Sequence, residues 1–547
     1  MKRSRLTTEA VFFIFFLDYN NDNLYIYILI YRRLNMNFKH YNQRQTTLLP
    51  YSFDDFISEN HPVRVVDQVV ESINIQPLLK AYSKEGNPAY HPKMLLKVML
   101  YAYMTNIYSS RKIESAIREN INFMWLTGMA IVDHNTINRF RSNKLKDSFK
   151  EIFKQVVLML ASEGFISLKQ LYTDGTKIEA QAGRYTFVWG NSIKTNKAKM
   201  LTQLEDLWNY AQSISNDDEP NPEPPEFKEI SKEVIQKTVE QIDAKLSGNE
   251  KASKQSKAKL RYIKQNFEKN LDKYEHQEAV LGDRNSYSKT DLDATFMRMK
   301  EDHMQNGQLK PGYNAQISTE NQIIVNYTLH QNPTDTKTLK PHLENLKETY
   351  GEDVFDAIDN ITADAGYGSE ENYDYLEEQE LTAYVKYNTF DKEQDKKYQK
   401  KHKPFSKENL HYNQEEDYYV CPMGQKMHKT HESTRTTEAG YTQHLSHYQA
   451  QNCEGCVLRS LCFKAKGNRS IERNHNLERH KQRIRELLTS ETGVQKRKQR
   501  SADVEPVFAQ MKHNNNFRRF SLKGIEKTEL EFGLMALAHN LRKKIAA

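Results

Sequence analysis

The stretch Ile361-Thr-Ala-Asp-Ala-Gly-Tyr-Gly-Ser-Glu370 decides how this 547-residue chain is read. Ile358, Ile361 and Ala363 suit a short buried strand, and Gly366 with Gly368 supply a turn that permits positive φ or close backbone approach. Ser369 is then placed to cap a helix. Glu370 and Glu371 fall in its first turn, where the helix dipole favours negative charge, and Tyr373 and Leu376 begin its apolar side. Asp364 is thereby expected at the carboxyl end of a strand, where open α/β sheets gather their chemistry. A lone Asp in such a turn is more often a turn former than a catalyst, so its partners decide.

Two partners emerge on either side. Upstream, 146–161 is an amphipathic helix carrying Phe149, Ile152, Phe153, Val156, Val157 and Leu160, and it leads into a strand over 170–180 that holds Asp174 and Lys177. Downstream, Pro506 belongs in a first helical turn, so a helix begins near Glu505. Val504, Val507, Phe508 and Met511 form its apolar side, and Glu505 and Lys512 share one face. Between Asp174 and Glu505 the pattern predicts a hairpin around 319–321, a helix over 337–350 and a strand over 381–387. Leu530, Leu534, Leu537 and Leu541 mark a packing helix at the end of the chain.

Asp174, Asp364 and Glu505 are hard oxygen ligands arriving from different elements. That is the donor set two Mg²⁺ ions require, and such a pair serves phosphodiester displacement by activating the attacking oxygen and stabilising the leaving one. Asp291 and Asp293 are also carboxylates in a short motif, but their segment reads as a structural element feeding the second strand.

The region 52–161 reads as helical, with helices expected over 94–103, 109–120 and 133–143. The last opens on capping residues and sets Arg139 and Arg141 beside Ile137 and Phe140. It is either a DNA recognition helix or a solvated basic face. A lysine-rich insertion over 191–281 is broken into two helical halves at Pro220, Pro222, Pro224 and Pro225, its first half carrying Leu201, Leu204, Leu207 and Trp208. A charge run over 391–407 reads as a surface loop, and 469–500 is strongly basic.

All four cysteines, Cys421, Cys453, Cys456 and Cys462, lie between those two segments. A Cys-x2-Cys pair with two further cysteines points to one shared Zn²⁺ site, with reduced, inert thiols as the alternative. Nothing else suggests a secreted, disulfide-bonded protein.

The net charge of +7 permits a polyanionic partner. A mean hydropathy of −0.82 rules out an integral membrane protein, and a cytoplasmic location is expected. The apolar runs 11–17 and 24–31 are each too short to span a bilayer, and no small-residue cleavage site follows them. Residues 1–35 therefore read as a leader outside the folded protein, with an ordinary domain start at Met36.

From Met36 onward the chain resembles the DDE transposases of bacterial insertion sequences, in particular a subgroup with a cysteine-bearing insert before the last catalytic residue. The resemblance rests on Asp174-Gly-Thr-Lys-Ile-Glu-Ala180, on 288–300, on Asp364-Ala-Gly-Tyr-Gly368, and on Val504-Glu-Pro-Val-Phe508 with Lys512. It implies an α/β protein: a helical DNA-binding domain over 36–162, then an RNase H-like catalytic domain over 163–547 interrupted by the helical insertion 191–281 and a Cys-rich insertion 391–468. It further implies that Asp174, Asp364 and Glu505 hold two Mg²⁺ ions, with Mn²⁺ tolerated, and that Lys512 and a nearby arginine contact the transposon end. Related enzymes carry a Tyr and an Arg at fixed offsets before the Glu. Here those offsets fall on Lys498 and Ser501, with Arg500 one residue away. The expected activity is binding of terminal inverted repeats, metal-dependent cleavage and strand transfer to target DNA by a homo-oligomer. A catalytically decayed DNA-binding repressor and a stand-alone nuclease are the rivals.

Overall fold

The computed structural model describes residues 52–82, 88–214, 227–247, 249, 251–299, 307–395 and 405–547. The chain divides after Asp55, and the helices and sheets of the fold belong to the unit Phe56–Ala547. The 1–35 leader and the prolines of 220–225 lie outside the described residues, as does most of the 391–407 charge run. Among the described residues no helix is long and apolar enough to cross a membrane.

The first part is helical: Pro62–Ser72, Pro92–Met104, Ser110–Glu119, Ile121–Thr127, His134–Arg139 and Phe149–Ser162. Two of these start alike. His61 and His91 each accept an amide through Nδ1, from Val63 and Lys93, while Pro62 and Pro92 take the first helical position, where no N–H is needed. Asp133 caps the His134–Arg139 helix through the amides of Asn135 and Thr136. The expected 133–143 helix runs regularly only to Arg139. Phe140–Lys144 then widens into a π turn that buries Phe140, Arg141 and Ser142.

Among the described residues of the central region the strands are β1 (Gln170–Glu179), β2 (Phe187–Trp189), β3 (Ser286–Ser288), β4 (Thr295–Arg298), β5 (Leu309–Glu320), β6 (Ile323–His330), β7 (Asn360–Ala363) and β8 (Thr382–Val385). In the main sheet β5 lies antiparallel to β1, while β7 runs parallel to β1 and β8 parallel to β7. The far edge of β5 is shared by β6, over Asn314–Glu320, and β4, over Leu309–Gly312. The β5–β6 hairpin turns at Asn321 and Gln322, both at positive φ (54° and 63°), one step beyond the turn expected from sequence. A paired left-handed turn of this kind matches the twist of the strands it joins.

The helix Ile525–Ala546 is buried through most of its length and packs against β6 and against the helices Pro92–Met104 and Phe149–Ser162. Gly533 allows this approach, since a Cβ there would meet the Tyr327 hydroxyl at 2.3 Å. The helical region and the sheet thus share one hydrophobic core, and residue 162 marks no break in packing.

Two insertions leave this core. The first has three described helices, not two: Gly190–Ser213, Lys232–Leu246 and Lys254–Leu281. Ser253 caps the third, which makes a second break that the prolines did not announce. Leu204, Leu207, Ile242, Phe267 and Leu271 give the insertion a core of its own. The second insertion is not only cysteine loops. It forms a five-stranded antiparallel sheet of β9 (His411–Asn413), β10 (Tyr418–Val420), β11 (Lys426–Thr436), β12 (Thr442–Ala450) and β13 (Ser470–Arg473) around Tyr419, Met427 and Tyr448. The β11–β12 hairpin reaches back to the central region: Lys337 Nζ donates to the Glu438 carbonyl (2.5 Å), Gln443 donates to Glu370 (2.8 Å), and Tyr441 donates to Asp374.

Candidate active site

Asp174 sits on β1, 6% exposed, and accepts from Arg500 Nη1 at 3.0 Å and from the Gly175 amide at 2.7 Å. A Cβ at Gly175 would lie 2.2 Å from Gln316 Nε2 on the paired strand, so any larger residue there would displace that carboxamide. Asp364 follows β7, the parallel neighbour of β1, and its Oδ1 accepts the Gly366 amide at 2.8 Å, closing the short turn Ala365–Tyr367. Ser369 then caps the Glu370–Glu378 helix by accepting the Asn372 amide.

Glu505 opens the helix Glu505–Ala509, with Pro506 in its first turn. It continues from Glu491–Asp503 across a bend at Val504, the cap residue of both. The Arg500 guanidinium spans two of the carboxylates: Nη1 reaches Asp174, and Nη2 lies 3.6 Å from Glu505 Oε1, whose side chain is 59% exposed. Asp174, Glu505 and Arg500 are therefore one electrostatic unit, with Asp364 at the end of the adjoining strand.

A fourth carboxylate joins them that the sequence did not single out. Asp335 Oδ1 accepts from Asn314 Nδ2 (2.8 Å) and Gln316 Nε2 (3.1 Å), both on β5. Its Oδ2 lies 3.3 Å from the point a Cβ at Gly366 would occupy, and Asp364 Oδ1 lies 3.0 Å from the same point. The buried Tyr367 hydroxyl donates to Gln316 Oε1. Burial, and then the charges of Asp174, Asp335 and Asp364, hold that phenol far above its ordinary range against the opposing Arg500. Asp335 stands in the short turn Asp335–Lys337 ahead of a helix, where a lone sequence offers only the reading of a turn residue.

Other candidates fall elsewhere. Asp291 accepts from the Tyr313 hydroxyl and the Gly524 amide (3.1 Å), and Asp293 accepts the Ile525 amide (2.9 Å). Both tie the β3–β4 turn to the start of the last helix, a link the sequence reading did not anticipate.

Arg141 corrects the DNA-contact expectation. At 3% exposure it donates to the Tyr103 hydroxyl and the Tyr108 carbonyl and faces the charge of buried Glu531, because the π turn carries it inward. Arg139 remains exposed. Lys512 is likewise turned inward, 5% exposed, donating to the Lys177 carbonyl at 2.9 Å on β1; here it braces the strand that carries Asp174 instead of facing solvent. Much of the basic 469–500 segment is also spoken for. Arg479 and Arg483 pair with Glu377, and Arg485 pairs with Glu393.

A second acidic cluster lies one helix away. Asp374, Glu377 and His480 bring three ligand atoms within 4.8 Å of one another. Asp374 accepts from His480 Nε2 (2.6 Å), Asn476 Nδ2 (3.0 Å) and Tyr441, and Glu377 takes the two arginines. Burial raises the Asp374 carboxyl, but the bonds from Tyr441, Asn476 and His480 outweigh it and leave the group below its ordinary value.

The four cysteines line one small cavity with Arg459 and Arg469. Among the described residues no three of their sulfurs come within 4.8 Å of one another, so they surround a common space without closing on it.

Two family profiles match the chain. A transposase DDE domain covers residues 420–545, which include the cysteines, Arg500, Glu505 and Lys512, and a transposase domain (DUF772) covers residues 51–143. Asp174 and Asp364 lie between the two matches. Neither a curated protein nor a solved structure matches.

Proposed function

We propose that the chain is a DDE-type transposase of an insertion element that binds the terminal inverted repeats of its own element, cleaves phosphodiesters there and joins the exposed 3′-OH to target DNA. The observation that carries the reading is that Arg500 reaches both Asp174 on β1 and Glu505 at a helix start, while Asp364 follows β7, the strand parallel to β1. The order β6-β5-β1-β7-β8, antiparallel on one side of β1 and parallel on the other, supports an RNase H-like core.

The donor chemistry fits divalent metal. All three groups are hard oxygens, and Arg500 already sets a positive charge between Asp174 and Glu505, so the site suits positive charge. Asp174, Asp364 and Glu505 would hold two Mg²⁺ ions, with Mn²⁺ tolerated, and bound metal would supply charge neutralisation at the attacking and leaving oxygens. Asp335 orients the β5 amides beside Asp364. Arg500 holds Asp174 and Glu505 in register. Exposed Arg139 contacts phosphate, and the active species on paired ends is a homo-oligomer.

Incubating the full chain with a labelled terminal-repeat duplex in Mg²⁺ tests this. Nicking followed by joining to a target is expected. Binding without nicking would favour a decayed repressor, and nicking without joining a stand-alone nuclease. Arg139→Ala should flatten the salt dependence of binding by about one unit, one phosphate contact, without moving the thermal midpoint. An unchanged slope would place that contact elsewhere.

A further inference from the structure

We propose that Cys421, Cys453, Cys456 and Cys462 form a four-thiolate zinc site that staples one end of the β9–β13 sheet. Cys421 directly follows β10, and Cys453 lies three residues beyond β12. Arg469, whose amide donates to Cys453 Sγ at 3.3 Å, directly precedes β13. The cysteines thus meet where three strands of the sheet end or begin. The cavity they line is about 20 Å³, room for one small sphere.

The local backbone supports metal ligation at two places. After Cys421 the chain turns back through Gly424 at φ +82°: the Gly424 amide donates to the Cys421 carbonyl, the Cys421 amide to the Gln425 carbonyl, and the Gln425 amide to Cys421 Sγ at 3.3 Å. Between Cys453 and Cys456 the turn passes through Gly455 at φ +69°. Each is a tight glycine-bearing loop that presents a sulfur inward. Amides directed at sulfur are the outer contacts a ligating thiolate uses to spread its charge.

Charge points the same way. Four thiolates around Zn²⁺ carry a net charge of about −2. Among the described residues that line the cavity none is a carboxylate, and two are arginines. Arg469 Nη1 donates to Cys462 Sγ at 2.7 Å, and Arg459 is held by the carbonyls of Cys453, Ala465 and Gly467. Arg469 is buried and Arg459 half-buried, so both guanidinium charges stand close to the sulfurs with little water between. Around a zinc tetrathiolate they balance it.

Zinc–sulfur bonds of about 2.3 Å place sulfurs about 3.8 Å apart, so binding must draw the thiols inward from the wider spacing seen here. Side-chain rotation can do this because the four cysteines are only partly buried. The functional consequence lies at the other end of the hairpin, where Lys337, Glu370 and Asp374, which flank the Asp364 turn, take contacts from Glu438, Gln443 and Tyr441.

The test uses full-length protein purified without chelator. Elemental analysis should find about one zinc per chain, and Co²⁺ exchanged into the site should give the intense thiolate-to-metal absorption of a tetrahedral four-sulfur centre. Cys453→Ser and Cys462→Ser should each lose the metal, whereas Arg469→Gln should keep it but release it about 10-fold more readily to a chelator. If the serine variants do not fold, the wild-type Co²⁺ spectrum still reads the number of thiolate ligands. Metal-free protein whose four thiols all react at once in the native state overturns the proposal. So does a Cys453–Cys456 disulfide, or a cobalt spectrum without thiolate bands.

Discussion

The acidic cluster on the Glu370–Glu378 helix and the one around Asp174 look alike as sets of metal-binding residue types and differ in what they are attached to. At Asp374 and Glu377 the carboxylate oxygens are engaged by a histidine, an asparagine, a tyrosine and two arginines, so their charge is balanced within the protein. At the other cluster Arg500 reaches Asp174 and Glu505, while Asp335 accepts from two side-chain carboxamides and Asp364 from a backbone amide. Proximity of acids is therefore a weak sign of a metal site. The kind of partner is the better one, because carboxylates held by neutral amides, as Asp335 and Asp364 are, keep a charge that a bound cation would neutralise.

The sharpest way to break this contrast is to remove ligand charge while keeping shape. Asp174→Asn, Asp364→Asn and Glu505→Gln should each lower strand cleavage on the order of 10⁴-fold, with folding and end binding close to wild type, and the losses should not add. Normal cleavage by Glu505→Gln, with loss in Asp335→Asn, would move the third ligand to Asp335.

The other cluster should respond in stability instead. Asp374→Ala strands Asn476, Tyr441 and His480 and should cost about 2–4 kcal/mol in denaturant unfolding, while cleavage per folded molecule is kept. A cleavage-dead but stable Asp374→Ala protein would show that the two clusters had been assigned the wrong way round.

Asp335 lies between these extremes. Asp335→Asn keeps one acceptor for the β5 amides but removes the charge, and a loss of cleavage of about 10–100-fold is expected, as for a group that orients ligands from behind. The matching shift in Mn²⁺ affinity, read by electron paramagnetic resonance, would be absent if Asp335 acted on folding alone.

The smallest effect is in pH. The Asp374 carboxyl lies below its ordinary value in the folded protein, so its stabilisation is fully present above about pH 4 and is lost as pH falls through the folded value. The difference in thermal midpoint between wild type and Asp374→Asn should be steady from neutral pH down to about pH 5 and should narrow below about pH 4. A difference that grew on acidification would have the wrong sign for this clamp.

Local sequence was enough for several elements and for the order of the three carboxylates. Periodicity gave the Phe149–Ser162 and Ile525–Ala546 helices, Gly366 and Gly368 gave the turn after Asp364, and Pro506 fixed the helix start at Glu505. These are local matters, in which a few neighbouring residues decide φ, ψ and facing. Only the tertiary structure decided which charges face one another. It turned Arg141 and Lys512 inward, spent Arg479, Arg483 and Arg485 on Glu377 and Glu393, joined Arg500 to both Asp174 and Glu505, and brought Asp335 beside Asp364. It also made a five-stranded sheet of a segment that had shown only its cysteines. The reason is that an ionic partner is chosen by distance across the fold, over gaps in sequence that carry no periodic signal, whereas a strand or a helix is chosen by the residues next to it.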